Sequence, residues 1–218
     1  MNAPRPPPTH EREAGSLEFA LARMQSRLSR RPSGPAWAAI EEARGLVPVI
    51  EAARGTTLEP LVARLPLSPD LHAVDRATRT AWSALVSEAA GWMPAEWQAA
   101  LAWCDGSGTA GEVHPTLLPS LALPGWRRRW PAGYANDPAL MGLVRLFAAH
   151  QARFRDAAPH EAPALRAAFA ARLAFLFRRH PLEPAGAFAW LALAALDLER
   201  LRGELARRVA FPEARIAA

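Results

Sequence analysis

The chain has 218 residues, half of them hydrophobic and 22% charged, an ordinary globular composition with enough length to bury a core without staples. Its one cysteine, Cys104, excludes an intramolecular disulfide and fits a reducing compartment. The net charge of +5 permits an acidic partner, a nucleic acid or a lipid surface without requiring one, and all 26 cations are arginine, so a lysine-dependent phosphate loop is excluded.

Residues 1–15 read as a disordered, proline-rich lead: Pro4, Pro6, Pro7 and Pro8 precede Glu11, Arg12 and Glu13, with no apolar stretch of the secretory kind. From Ser16 the pattern is helical. Ser16 is placed as an N-cap, and Leu17, Leu21, Met24 and Leu28 follow on one face. Residues 29–35 break this helix. A short second helix starts near Pro35 with Trp37 and Ile40 on one side and ends at Gly45. Another turn or two begins at Pro48 and ends at Gly55, and Thr57 caps a piece running to Leu65. Ser68-Pro69 opens a longer helix with the stripe Leu71, Val74, Thr78, Trp82, Leu85 and Ala89, closed by Gly91. Pro94 starts the next, with Trp97, Leu101 and Cys104 inward.

The texture then changes. Nine glycines and prolines between 105 and 136 predict a long irregular segment, of the kind that is functional or disordered in compact domains. Asp137-Pro138 restarts helix, with Leu140, Val144 and Phe147 inward. A further helix carries Leu165, Phe169, Leu173 and Leu176 and ends at Arg178-Arg179, charges that suit the negative end of its dipole, as do Arg30-Arg31 after the first helix. The last runs from Pro184 to about Val209. Its inward stripe is Leu191, Ala194, Leu198, Leu201 and Leu205, and Asp197, Arg200, Glu204 and Arg208 are expected to pair along its wet face. The longest uncharged apolar run, Pro184–Leu196, is well short of the roughly 20 residues a membrane span requires. The only β-like run, Val47–Ile50, contains a proline. The fold class is therefore all-α: a single bundle-like domain over 16–218, with a Gly/Pro-rich loop at 105–136 between its halves.

Chemistry-bearing motifs are few. Gly106–Gly111 spells G-x-G-x-x-G, but a helix precedes it and a proline-rich stretch follows, where dinucleotide binding needs a strand and then a helix N-terminus. The six histidines show no metal-ligand spacing, and Cys104 on an apolar stripe reads as a small core residue. These residues imply no cofactor, no metal and no catalytic centre. The most distinctive cluster is Trp126-Arg127-Arg128-Arg129-Trp130. Two indoles around three guanidiniums can bind phosphates and stack bases or sit among lipid headgroups, and they can equally pin a loop to a helical body while the arginines stay solvated.

The order of elements resembles the C/d-type subunit family of V-type ATPases. Ala22–Leu28, Trp37–Arg44, Leu46–Leu65 and Asp70–Ala77 are similar to its opening helices, and Leu196–Leu205 with Phe211–Ile216 is similar to its closing helix and short tail. The likeness covers about 120 residues at both ends of a chain shorter than family members, with Arg200 where they usually carry asparagine. It implies a non-catalytic helical component on the cytoplasmic face that joins the central stalk of a rotary motor to its membrane ring of proteolipid subunits during ion translocation. Two alternatives stand beside it: a stand-alone helical adaptor that binds another protein, and nucleic-acid binding through Trp126–Trp130. The expected location is cytoplasmic, peripheral to the membrane if the resemblance holds.

Overall fold

The computed structural model describes residues 9–105 and 124–211, with residues 9–16 and Pro124 as backbone. All regular structure among them is helical: α1 (Thr9–Leu28), α2 (Gly34–Glu42), α3 (Leu46–Ala53), α4 (Glu59–Val62), α5 (Leu71–Trp92), α6 (Gln98–Cys104), α7 (Pro124–Arg127), α8 (Pro138–Asp156), α9 (Ala162–Arg179) and α10 (Pro184–Ala210), with single 3-10 turns before α6, α8 and α9.

Local chemistry sets most boundaries. The Ser33 hydroxyl accepts from the Ala36 N–H at 3.3 Å, the Asp70 carboxylate from Ala73 at 2.6 Å and the Asp137 carboxylate from Leu140 at 2.8 Å, each satisfying a helix-start donor that has no partner within its own helix. Gly45, the N-cap of α3, and Gly55, just past its end, sit at φ +86° and +73°, a region open to glycine at little cost; α2 itself ends at Glu42, ahead of the expected Gly45. Several expected boundaries move, among them the openings of α5, capped by Asp70 rather than begun at Ser68-Pro69, and of α3, at Leu46 rather than Pro48. Helix α1 begins at Thr9, so Ser16 lies inside it. Thr56, not Thr57, accepts from the Leu58 N–H ahead of α4. Helix α5 runs through Gly91 to Trp92. Of the expected loop, 124–136 contains α7 and a 3-10 turn, while 106–123, the glycine motif included, lies outside the described residues, as do 1–8 and the tail beyond Phe211.

Helix α10 is the axis of the fold. It packs mainly on α9 and α5 and also touches α1, α8 and α3. Residues 184–198 are buried on every side apart from half-buried Ala194, and a helix without a polar face is an interior one. Its alanines and Gly186 let neighbours approach closely. A Cβ on Gly186 would lie 2.5 Å from the His180 carbonyl oxygen.

The wet face expected on α10 is corrected at two of its four residues. Asp197 is 5% exposed and Arg208 7% exposed. Asp197 holds Arg31 through two bonds, Nε to Oδ2 at 2.5 Å and a terminal nitrogen to Oδ1 at 2.8 Å. Arg208 donates to the carbonyls of Ile40 (2.6 Å), Glu41 (3.2 Å) and Ala43 (2.9 Å), and to the Glu204 carboxylate (2.6 Å). It thereby caps the C-terminus of α2 from far along the chain and puts a cation at that helix's negative end. Arg200 and Glu204 are half-exposed; Arg200 pairs with Glu41 and lies over the Trp37 ring at 4.1 Å.

Candidate functional site

The Trp126–Trp130 cluster divides into a buried and an exposed part. Trp126 on α7 is 0% exposed, with its ring edge-on to Phe188 of α10 (4.8 Å) and to Trp130 (5.0 Å). Trp130 is buried as well. Gly125 permits this approach, because a Cβ there would lie 2.7 Å from the Trp103 ring. Arg129 donates to the Gly125 carbonyl at 2.7 Å and stacks its guanidinium 4.0 Å over Trp103. Only Arg127 and Arg128 remain exposed. The indoles thus pin the segment to the helical body and present no face on which a base could stack, which removes the platform that a nucleic-acid role for this cluster needs. The Nε1 atoms of Trp103, Trp126 and Trp130 are buried without a hydrogen-bond partner among the described residues, whereas Trp82 Nε1 donates to the Cys104 carbonyl at 2.9 Å.

Cys104 is 1% exposed; burial and then the neighbouring Asp105 charge push its thiol far above the usual range, so it is a protonated core group without nucleophilic character. Among the described residues no three His, Cys, Asp or Glu side chains converge as a metal site.

Besides a shallow place of about 30 Å³ beside Arg153 and Arg172, two concave places among the described residues carry charge. The first, about 90 Å³, lies between α1, α5 and α10, and its charged groups are already matched: Arg27 pairs with Glu88, and Arg31 with Asp197. The second, about 240 Å³, opens between α8, α9 and α10, with a floor of Phe147, Phe154 and Leu196. Arg155, Arg166, Gln151, His150 and Glu199 line it. Arg166 sits 5.3 Å over the Phe154 ring, and the His150 ring stacks flat on Phe169 at 4.0 Å. Burial and then the Arg166 charge push the His150 imidazole below its usual range, so it is neutral at pH 7. No sequence motif singles out this groove. The signal for it is compositional: residues 138–179 hold seven arginines against Asp156 and Glu161.

The chain matches no known family model, no curated protein and no solved structure. Among the described residues no helix is long and apolar enough to cross a membrane.

Proposed function

We propose that the protein is a non-catalytic helical coupling component, similar to the C/d-type subunits of V-type ATPases, working at the cytoplasmic face of a membrane between a central stalk and a proteolipid ring. One observation supports this reading more than any other. The stretches that carry the resemblance, 19–104 and 196–205, are tied together by charged groups buried between them. Asp197 holds Arg31, and Arg208, three residues past the second stretch, closes the end of α2. A coupling element transmits force between two partners, and burying paired charges at the junction of its two ends resists slippage, because separating them exposes unpaired groups at high cost.

The test is affinity capture of the tagged chain from native membranes, read by mass spectrometry. Recovery of stalk and proteolipid-ring proteins is expected. A chain that neither sediments with membranes nor captures any part of a rotary ATPase overturns the reading. The stand-alone adaptor is the second reading, favoured by the uncompensated arginines of α8 and α9.

A further inference from the structure

The whole net charge of the chain resides in one hairpin. Residues 138–179, which span α8 and α9, carry seven arginines and two acids, a balance of +5, equal to that of the entire chain; all other segments together are neutral. Every one of the seven arginines is exposed, and among the described residues none takes part in an ion pair or a side-chain hydrogen bond. Elsewhere arginines and acids balance, nineteen of each, and six of those arginines, Arg27, Arg31, Arg200, Arg202, Arg207 and Arg208, have carboxylate partners. A net positive charge confined to one hairpin, with a neutral balance elsewhere, is the pattern of a surface whose counter-charges come from another molecule.

The chain itself offers too few counter-charges: residues 1–16, 106–124 and 212–218 together contain three arginines and four glutamates, a single net negative charge against five positive ones. A second copy meeting it hairpin to hairpin would be repelled, and the rest of the chain carries no net negative charge to offer it. The partner is therefore acidic and foreign.

Its class follows from the groove. Phosphate tracks are continuous polar paths, but the floor between Arg155 and Arg166 is Phe147, Phe154 and Leu196. Aromatic faces for bases are taken: Arg166 covers Phe154 and Phe169 covers His150. A cavity of about 240 Å³ accepts a single large apolar side chain, a demand that a concave site makes of a peptide rather than of a flat lipid surface. We propose that the α8–α9 hairpin, with the cavity it forms against α10, docks an acidic amphipathic segment of a partner protein. An apolar side chain of that segment fills the cavity, and its flanking carboxylates pair with Arg155 and Arg166. This docking surface is independent of the coupling reading, because it serves a motor component and an adaptor equally.

The experiment uses the full chain and a fluorescein-labelled peptide with leucine along one helical face and glutamate over the rest, followed by anisotropy. Binding is expected at about 50 mM salt and weakens on the order of tenfold by about 300 mM. An Arg155→Ser/Arg166→Ser double variant weakens it about tenfold, while Arg128→Ser, on the Trp126–Trp130 segment, leaves it unchanged. An Arg155→Glu/Arg166→Glu variant regains binding with a peptide that carries lysine in place of glutamate, which separates charge pairing from any loss of folding. In a proton-detected titration the peptide shifts the His150 ring resonances. The proposal is overturned by absence of binding at about 1 mM peptide in low salt, or by equal affinity of the Arg155→Ser/Arg166→Ser variant. It is likewise overturned if a peptide with serine in place of leucine binds equally well, or if only single-stranded DNA or anionic vesicles bind. Failure of these arms leaves membrane capture of rotary ATPase components unaffected, so the two readings fail separately.

Discussion

Replacing Arg208 by methionine tests whether α10 closes the fold through charge or through apolar packing alone. Methionine keeps most of the aliphatic stem and removes the guanidinium. Three backbone carbonyls then lose their donor. That of Ile40 lies in a fully buried hydrogen bond at 2.6 Å, and those of Glu41 and Ala43 are partly buried. A buried polar group left unpaired costs about 1–3 kcal/mol, and a partly solvated one about 1 kcal/mol. Glu204 also loses its shortest bond, at 2.6 Å, though its Arg207 contact at 3.0 Å persists. Relief of the desolvation of the guanidinium offsets a fraction of this. The expected net loss is about 3–5 kcal/mol, within the range for breaking one side of a buried charged network. For a chain of this size each kcal/mol moves the melting temperature by about 2–4 °C, so thermal melting should fall by on the order of 10 °C. Urea unfolding followed by circular dichroism gives the free energy directly. Arg208→Lys, with one cationic nitrogen in place of a fork, should recover part of the loss. A change below about 1 kcal/mol for Arg208→Met would refute the idea that this guanidinium caps α2.

Three further outcomes are expected. Trp126→Ala, which empties a fully buried site against Phe188, should cost about 3–5 kcal/mol in urea unfolding, whereas Arg128→Ala, exposed on the same segment, should stay within about 0.5 kcal/mol. Gly186→Ala tests backbone crowding against helix propensity: alanine gains about 1 kcal/mol in a helix interior, but its Cβ would meet the His180 carbonyl oxygen at 2.5 Å, so net destabilisation by about 2 kcal/mol is expected, and any stabilisation would count against the close packing of α10. Burial alone would raise the Glu204 carboxyl, but hydrogen bonds from Arg208 and Arg207 outweigh it and hold the group below its usual range. Its contribution to stability is thus fully present above about pH 4.5 and is lost as pH falls through the folded value, so Glu204→Gln should be less stable than the parent at pH 7 and the gap should narrow on acidification, read by urea titrations at each pH.

Helix identity is legible in the sequence because it rests on local chemistry. Asp137 announces a helix start through its side-chain oxygen, and Gly55 announces an end through backbone freedom, whereas the cap at Ser33 lies in a stretch that reads as a break. The inward faces of α6 and α9 follow from apolar spacing, with Trp97, Leu101, Cys104, Phe169 and Leu173 all buried. Partnership across the chain is not legible. Asp197 and Arg208 have the side chains of a solvated face, yet Trp190, Leu193, Asp197, Leu201, Glu204 and Arg208 recur at steps of three and four, so spacing alone places them on one side of α10. Residue type and register point in opposite directions here, and only the distant partners, Arg31 and the end of α2, make burial affordable. The Trp126–Trp130 cluster is the converse case: its composition suggests a surface, but a large indole beside Gly125 finds more apolar contact against Phe188 than in water. The groove at Arg155 and Arg166 is hidden because it joins three helices, and no local motif encodes such a meeting.

The place of α10 in the chain has a consequence for biogenesis. Ribosomes release α1 through α9 before the helix that packs on α9, α5, α1, α8 and α3 has been made. Until residues 184–198 emerge, the inner sides of α5 and α9 have no permanent cover, and a nascent chain stalled before Pro184 is a collapsed intermediate with sticky surfaces rather than a folded subdomain. Folding is consequently post-translational in character, with many contacts distant in sequence formed late and together. Cells that make this protein must keep everything ahead of Pro184 from aggregating for the time it takes to synthesise one helix.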